Sequence, residues 1–457
     1  MTLRPTTRTG AASGLQSSTV AGPSNEHTTT SSLVDPFRQL QLSDSPTQPT
    51  RIVDHTPSEA LAGDADFVLE NPITTPLTLN PSQKLEYPNN VPRSIPTLDR
   101  GASKALFISG DFPLDQNVIA KLPRGSKVLS ANRYGTSAWT VTARLNVELA
   151  DGTKTRFFMK CVAGERGRIM MEGEFIGMSE IYKTMPCFAP KPQAWGSYST
   201  GNPVTHFFLQ QFIDMSDRVP DPNQLCSNLA ALHEKSVSPT GKFGFHITTC
   251  QGQIPQNTDG WEDKWTNLFT KMLRHVVDLD IATNGLWKEL DVLEKRIFSH
   301  VIPRLIGNLE RDGRSIKPSL VHGNLWEGNT GTCFETGKVY IYDAGTSYAH
   351  NEFEIGDWRC HYNKIHNRVY TRTYLKHCGP SEPKDEWDDR NRMYCIYFNT
   401  IYSVNHQAQG TAVRQTAYDD MYYLIDKYAP FAEGEGPPRL TEADRAGLSK
   451  KRTNSAA

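Results

Sequence analysis

The stretch His322-Gly323-Asn324-Leu325-Trp326-Glu327-Gly328-Asn329, with Asp343 fourteen residues further on, gathers several chemically capable side chains into a short span. Asn329 offers an amide carbonyl and Asp343 a carboxylate, both hard oxygen ligands of the kind that Mg²⁺ prefers. Asp343 closes Lys338-Val339-Tyr340-Ile341-Tyr342, which reads as a strand, and is followed by Ala344-Gly345. Upstream, Lys160 lies inside the apolar run Phe157-Phe158-Met159-Lys160-Cys161-Val162. A charge in such a strand needs a partner, and Glu174 on the next helical stretch, with Glu172 as its competitor, can supply one. An ammonium and two oxygen ligands can hold a triphosphate and its divalent ions while an acceptor oxygen lines up with the terminal phosphorus. Phosphoryl transfer is almost entirely such positioning and charge stabilisation.

The spacing is that of a kinase catalytic loop, H-x-D-x-x-x-x-N, with one departure. His322 and Asn329 are in register, but the position of the proton-accepting carboxylate holds Asn324. An Asn amide has no useful basicity. General-base assistance is worth about 10² to 10⁴ in rate, roughly 3 to 5.5 kcal/mol of barrier, so the loss should be large without being total, because an Asn carbonyl can still orient a hydroxyl. Glu327 is a candidate substitute base if it points into the site, and an ordinary surface acid if it faces solvent. The plain alternative for His322, Asn329 and Asp343 is that they are turn and capping residues; jointly and in register they favour phosphoryl transfer. For Lys160 the alternative is an edge-strand lysine that snorkels to water. Tyr134-Gly135-Thr136-Ser137-Ala138, with its single Gly, is either a phosphate-cradling turn or a plain hairpin turn.

These groups need elements to position them. The β-branched and aromatic content of 128–147 and 156–162 predicts strands, joined by an Asp151-Gly152 hairpin turn. A helix is predicted over 172–182, with Phe175, Met178, Ile181 and Tyr182 on one face, and a further strand over 206–212. Helices then follow at 222–233, 261–279, 286–305, 387–405 and 414–428. A short β-rich unit joined to a larger helical one is an α+β, two-lobe arrangement. The expected division is a Ser/Thr/Pro-rich disordered extension over residues 1–100, a small N-lobe over 101–212, a larger C-lobe over 213–432 and a flexible tail over 433–457. The extension carries too little apolar surface to offset its chain entropy; short helices are conceivable at 35–42 and 441–449.

Composition narrows the function classes. Of 457 residues, 49 are Lys or Arg and 50 Asp or Glu, giving a formal net charge of -1, so nothing pulls the chain toward nucleic acid or an anionic membrane. The eight cysteines show neither C-x-x-C pairs nor zinc-ligand spacing, and read as reduced thiols. No run of eighteen apolar residues exists to span a bilayer, and no secretory signal opens the chain. A cytoplasmic location is expected. Mitochondrial import is the alternative, since the first 25 residues are rich in Ser/Thr and lack acids, although Pro5, Gly10 and Gly14 interrupt any amphipathic helix there. The absence of G-x-S-x-G, H-E-x-x-H, H-R-D and A-P-E argues against hydrolases and protein kinases proper.

Over about residues 115 to 430 the chain resembles fructosamine kinase, also called ketosamine-3-kinase, whose loop usually reads H-G-D-L-W-x-G-N. The resemblance includes Leu122-Pro123, the G-T-S turn, the F-F-M-K strand and the M-E-G-E helix. It continues through Leu229-Ala230-Ala231-Leu232-His233, Phe243-Gly244-Phe245, Gln256-Asn257 ahead of Trp261 and Trp265, and Tyr348-Ala349-His350-Asn351-Glu352-Phe353-Glu354. It implies a protein-kinase-like fold and transfer from ATP, with Mg²⁺, to the 3-hydroxyl of a ketoamine, the adduct of a sugar with an amine such as a protein lysine. Ribulose and erythrulose adducts are the more usual substrates outside vertebrates. By the same resemblance, Gly135, Thr136 and Ser137 cover the nucleotide, Lys160 and Glu174 hold its phosphates, and Gln210, Gln211 and Phe212 form the adenine hinge. Asn329 and Asp343 bind the metals, His322, Asn324 and Glu327 belong to the catalytic loop, and Trp326, His350 and Glu352 face the substrate. Two function classes stay open: an active ketoamine kinase, and a pseudokinase that retains nucleotide or partner binding. The number of subunits is not legible.

Overall fold

A computed structural model describes residues 109–441 together with residue 444. The extension expected at 1–100, the helix at 35–42 and most of the tail lie outside the described residues. After the short helix α1 (Gln116–Ala120), β1 (Lys127–Arg133), β2 (Val141–Glu148), β3 (Lys154–Ala163), β4 (Pro192–Ser197) and β5 (Thr205–Gln211) form an antiparallel sheet in the order β1-β2-β3-β5-β4. The region 128–147 therefore holds two strands, folded back at the Gly135 turn, and Gly152 at φ +83° closes the expected hairpin between β2 and β3.

Alternation along β3 sends Phe157, Met159 and Cys161 into one core, with Leu145, Val147, Phe207 and Leu209. Lys160 consequently points to the opposite face, where its cross-strand neighbour Phe208 packs with Met170, Met171, Met178 and Ile181 of the helix α2 (Gly164–Thr184). That helix starts eight residues before the expected position, because its first turns carry Gly and Arg and show little amphipathic signal. Its glycines allow close approach: a Cβ at Gly173 falls 2.8 Å from the Thr248 carbonyl oxygen, and one at Gly177 falls 2.8 Å from Thr346 Oγ1.

The larger part is mostly helical. β6 (Met215–Ser216) pairs with a hairpin described below, and α3 (Pro222–Lys235) begins at the Asp221 cap with Pro at its first position. β7 (Phe243–Phe245), the tight hairpin β8 (Cys250–Gln251) and β9 (Ile254–Pro255), and β10 (Gly260–Glu262) precede α4 (Trp265–Asn284). The expected helix 261–279 therefore starts late, where Glu310 accepts the N–H groups of Trp265 (2.8 Å) and Thr266 (3.1 Å). The expected helix 286–305 is divided into α5 (Lys288–Arg296), a π-helical turn Ile297–Val301 and α6 (Ile302–Leu305), with Pro303 unable to donate to the continuing ladder.

β11 (Ser319–Val321) leads into the catalytic-loop segment, β12 (Thr330–Cys333) and β13 (Val339–Ile341) form the hairpin that β6 joins, and β14 (Ser347–Ala349) completes a second sheet in the order β10-β7-β14-β11. α7 (Asn351–Glu354), α8 (Arg368–His377), α9 (Trp387–Asn405) and α10 (Gly410–Tyr428) follow. α9 begins and ends where its periodicity predicts; α8 and β4 were not anticipated, both being short and mixed in polarity. The helical core centres on Trp265, Phe269, Phe353, Tyr394 and Phe398. All eight cysteines are free thiols, as expected, and no described helix is long and apolar enough to cross a membrane.

Candidate active site

Strand parity delivers Lys160 to α2. Its Nζ donates to Glu174 Oε1 (2.8 Å) and Oε2 (3.0 Å) and also to Asp343 Oδ1. Lysine and glutamate are both buried. Burial alone lowers the Lys160 pKa, but the carboxylates of Asp343 and Glu174 outweigh it and hold the ammonium above its ordinary value. Burial raises the Glu174 carboxyl, against the pull of Lys160. Glu172, the competing partner, instead accepts from Arg168 Nη1 (2.5 Å) on the outer side of the helix.

The catalytic loop runs from β11 to β12, and two glycines shape it. Gly323 sits at φ +73°, and a Cβ there falls 2.3 Å from the Gly345 carbonyl oxygen. At Gly328 a Cβ falls 2.2 Å from the Trp326 ring, which folds over it. His322 is fully buried, with Nε2 donating to the Tyr342 carbonyl (2.9 Å) and Nδ1 accepting the Asn324 N–H (3.3 Å). Burial lowers its pKa, so the ring is neutral and this tautomer is consistent. His322 thus orients the loop.

Asn324 Nδ2 donates to the Asp343 carbonyl (3.0 Å), and Asn329 Nδ2 donates to the Asn324 carbonyl (2.8 Å), which leaves Asn329 Oδ1 available to a cation. Asp343 occupies φ +66°, a left-handed backbone that Asp tolerates better than most residues and that collects at functional positions. Its carboxylate remains about one-third exposed.

A cavity opens beside this cluster, with Asn324, Trp326 and Asp343 in its wall and the rings of Trp139, Tyr362 and Tyr402 around it. A smaller space lies on the side of Met170 and Glu174, and Asn324 and Asp343 line it as well. The Gly135-Thr136-Ser137 turn leads into Ala138 and Trp139 of the large cavity's wall: Gly135 has φ +79°, and Ser137 Oγ accepts the N–H groups of Trp139 and Thr140 (3.2 Å each). Gln210, Gln211 and Phe212 end β5 outside both cavities. Gln210 is buried, its Oε1 without a hydrogen-bond partner among the described residues, Gln211 is exposed, and Phe212 packs edge-on against Tyr134 (5.0 Å).

Three expected site residues have other surroundings. Glu327 neither faces the cavity nor solvent: it is buried, and its Oε2 accepts the Lys364 N–H (2.8 Å). His350 is fully buried between Tyr394 OH and Ser381 Oγ (2.9 Å each). Glu352 accepts from Arg390 (2.9 and 3.1 Å) and from the Ser381 N–H (2.6 Å) in the core. His350 and Glu352 are therefore not cavity walls; a buried arginine needs the acid as its counter-ion. Sequence reasoning also missed the groups that pin the loop. Glu354 accepts the N–H groups of His322 and Gly323 (2.9 Å for the latter), and Trp358 Nε1 donates to the Leu325 carbonyl (2.8 Å). Asp357 joins the cavity wall. Nothing in the spacing distinguishes these from ordinary loop and core residues.

The two lobes, with a buried Lys–Glu pair in one and an H-G-x-L-W-x-G-N loop in the other, define a protein-kinase-like fold. The fold recurs in a solved structure of a provisionally assigned fructosamine-3-kinase from Thermobifida fusca, 18% identical, with a TM-score of 0.52 over 68% of this chain and 98% of that one. The fructosamine kinase family model matches residues 136–417, and the chain belongs to that family. It is similar to a chloroplastic protein-ribulosamine 3-kinase of Oryza sativa subsp. indica, 28% identical over 280 residues, covering 60% of this chain and 72% of the relative. It is also similar to the ketosamine-3-kinase of Mus musculus, 27% identical over 234 residues, covering 45% and 70%.

Proposed function

We propose that this protein is an ATP-dependent kinase that phosphorylates the 3-hydroxyl of ketoamines, the ribulose or fructose adducts of protein lysines or small amines. The phosphorylated adduct is unstable, and its loss frees the amine, which makes the outcome deglycation. The observation that carries the reading is the convergence of Lys160, Glu174, Asn324, Asn329 and Asp343 through direct hydrogen bonds at the edge of one cavity.

Lys160, fixed by Glu174, is suited to neutralise phosphate oxygens. The unengaged Asn329 Oδ1 and the partly exposed Asp343 carboxylate are hard oxygen donors that fit Mg²⁺. When bound, that ion supplies charge neutralisation on the phosphate oxygens. Asn324, whose Nδ2 is held by the Asp343 carbonyl, leaves its side-chain Oδ1 to accept a hydrogen bond from an acceptor hydroxyl and orient it. The large cavity suits a polyhydroxylated chain: its aromatic walls match the apolar faces of a sugar, and Gln251 Oε1 and Gln409 Oε1 line it as buried acceptors without partners among the described residues.

The test is ketoamine-dependent ADP formation from MgATP, with ribulosyl-lysine and fructosyl-lysine as acceptors. Turnover is expected in the wild type and should fall to background in Lys160→Met and Asp343→Ala. A protein that shows a nucleotide-induced thermal shift but no turnover of either acceptor contradicts the proposal. Asn324 would then mark a pseudokinase that binds nucleotide or partners.

A further inference from the structure

Replacing a carboxylate by Asn324 removes the usual proton acceptor, yet the cavity is not without acid. Among the described residues that line it, the carboxylates are Asp343 and Asp357. Asp343 is engaged by Lys160 and belongs to the phosphate side. Asp357 lies in the wall of the large cavity, together with Tyr362 and Asn363. Its Oδ1 accepts from Asn363 Nδ2 (2.9 Å), and among the described residues no hydrogen bond engages Oδ2. One contact ties its segment to the loop: Trp358, the next residue, donates through Nε1 to the carbonyl of Leu325, the residue after Asn324.

We propose that Asp357 is the proton acceptor of this enzyme, taking over from the position held by Asn324, which keeps only the orienting role. The inference rests on the ketoamine kinase reading above. In the step, the acceptor hydroxyl oxygen forms a bond to the γ-phosphorus while the bond from that phosphorus to the β,γ-bridging oxygen breaks. ADP departs with the electron pair, and the hydroxyl proton passes to Asp357 Oδ2.

The surroundings of Asp357 suit a base that works near neutral pH. Burial, together with the charges of Glu354 on α7 and Glu327 in the loop, pushes its carboxyl up to about 7, against the hydrogen bond from Asn363. Of the other titratable groups near it, the Cys360 thiol and the Tyr362 phenol are raised by burial and stay neutral there, and burial holds His406, on the same cavity, down at about 4 and hence neutral as well.

The experiment compares wild type, Asp357→Asn, Asn324→Asp and the Asn324→Asp/Asp357→Asn double variant, each checked for a nucleotide-induced thermal shift to establish folding. Steady-state kinetics with MgATP and ribulosyl-lysine are then measured across pH 5 to 9. Asp357→Asn keeps the Asn363 hydrogen bond and should lose about 10²-fold or more in kcat, with KM for ATP unchanged and the near-neutral ascending limb abolished. The double variant should recover at least about tenfold over Asp357→Asn, with its ascending limb at lower pH, which a purely structural role for Asp357 does not predict. Wild-type turnover that survives Asp357→Asn with an unaltered pH profile overturns the inference and leaves the kinase reading standing. Turnover confined to the two forms that carry Asn324→Asp overturns both, as does nucleotide binding with no turnover in any form.

Discussion

The backbone of two residues carries much of the site. Gly323 holds a left-handed turn against Gly345, and Asp343 holds another without the freedom of glycine, so the loop and the Asp343 carboxylate are locked face to face. Gly323→Ala must strain the backbone and move the Gly345 carbonyl. A destabilisation of at least about 2 kcal/mol is expected by chemical denaturation, with loss of turnover in what remains folded. Asp357 allows a prediction with a sign. Its carboxyl titrates higher in the folded protein than the ordinary value of 3.8. Its contribution to stability is therefore complete below the unfolded pKa and is lost as pH rises toward 7. Asp357→Asn, which carries no charge at either extreme, should gain in Tm relative to wild type between pH 4 and pH 8. A difference that is flat across this range contradicts a buried, cavity-facing carboxylate. At this scale the types and spacing of His322, Asn324, Asn329 and Asp343 were legible because loop chemistry is written locally. Glu327 misled, because nothing in the chain announces that Lys364 will offer its N–H.

Among the elements, α2 and the segment from β14 to α7 decide the geometry. The parity of β3 made the Lys160–Glu174 pairing readable, since a lysine in an apolar strand and an acid on the next helix have few other solutions. The same logic failed for His350 and Glu352. Their partners Tyr394, Ser381 and Arg390 come from α9 and the loop before it, and long-range burial leaves no local mark. Arg390 is fully buried and bound to Glu352 through two nitrogens. Arg390→Met leaves Glu352 uncompensated and should destabilise the fold by about 3 to 5 kcal/mol. Turnover per folded molecule, measured below the unfolding transition, should stay at the wild-type level. Loss of turnover in fully folded Arg390→Met contradicts the core assignment and returns Glu352 to the substrate side.

For the molecule as a whole, the α+β two-lobe reading held because the change from period-2 to period-3.6 patterning along the chain is strong. Apart from β13, which falls in the expected strand 338–342, the short strands of the helical lobe were missed because runs of two to four residues carry no period. What the fold assembles is the Lys160–Glu174 pair on one side of Asn324 and Asp343 and an aromatic, acceptor-rich cavity on the other. The central claim is that a phosphoryl group crosses between them to a sugar hydroxyl. Phosphorus NMR of the wild-type protein incubated with MgATP and ribulosyl-lysine tests this directly. A new phosphomonoester resonance coupled to the proton at the 3-position, absent with Lys160→Met, is the expected result. ATP that binds, as shown by its line broadening, yet yields neither a phosphorylated acceptor nor free lysine above the Lys160→Met control would contradict the account.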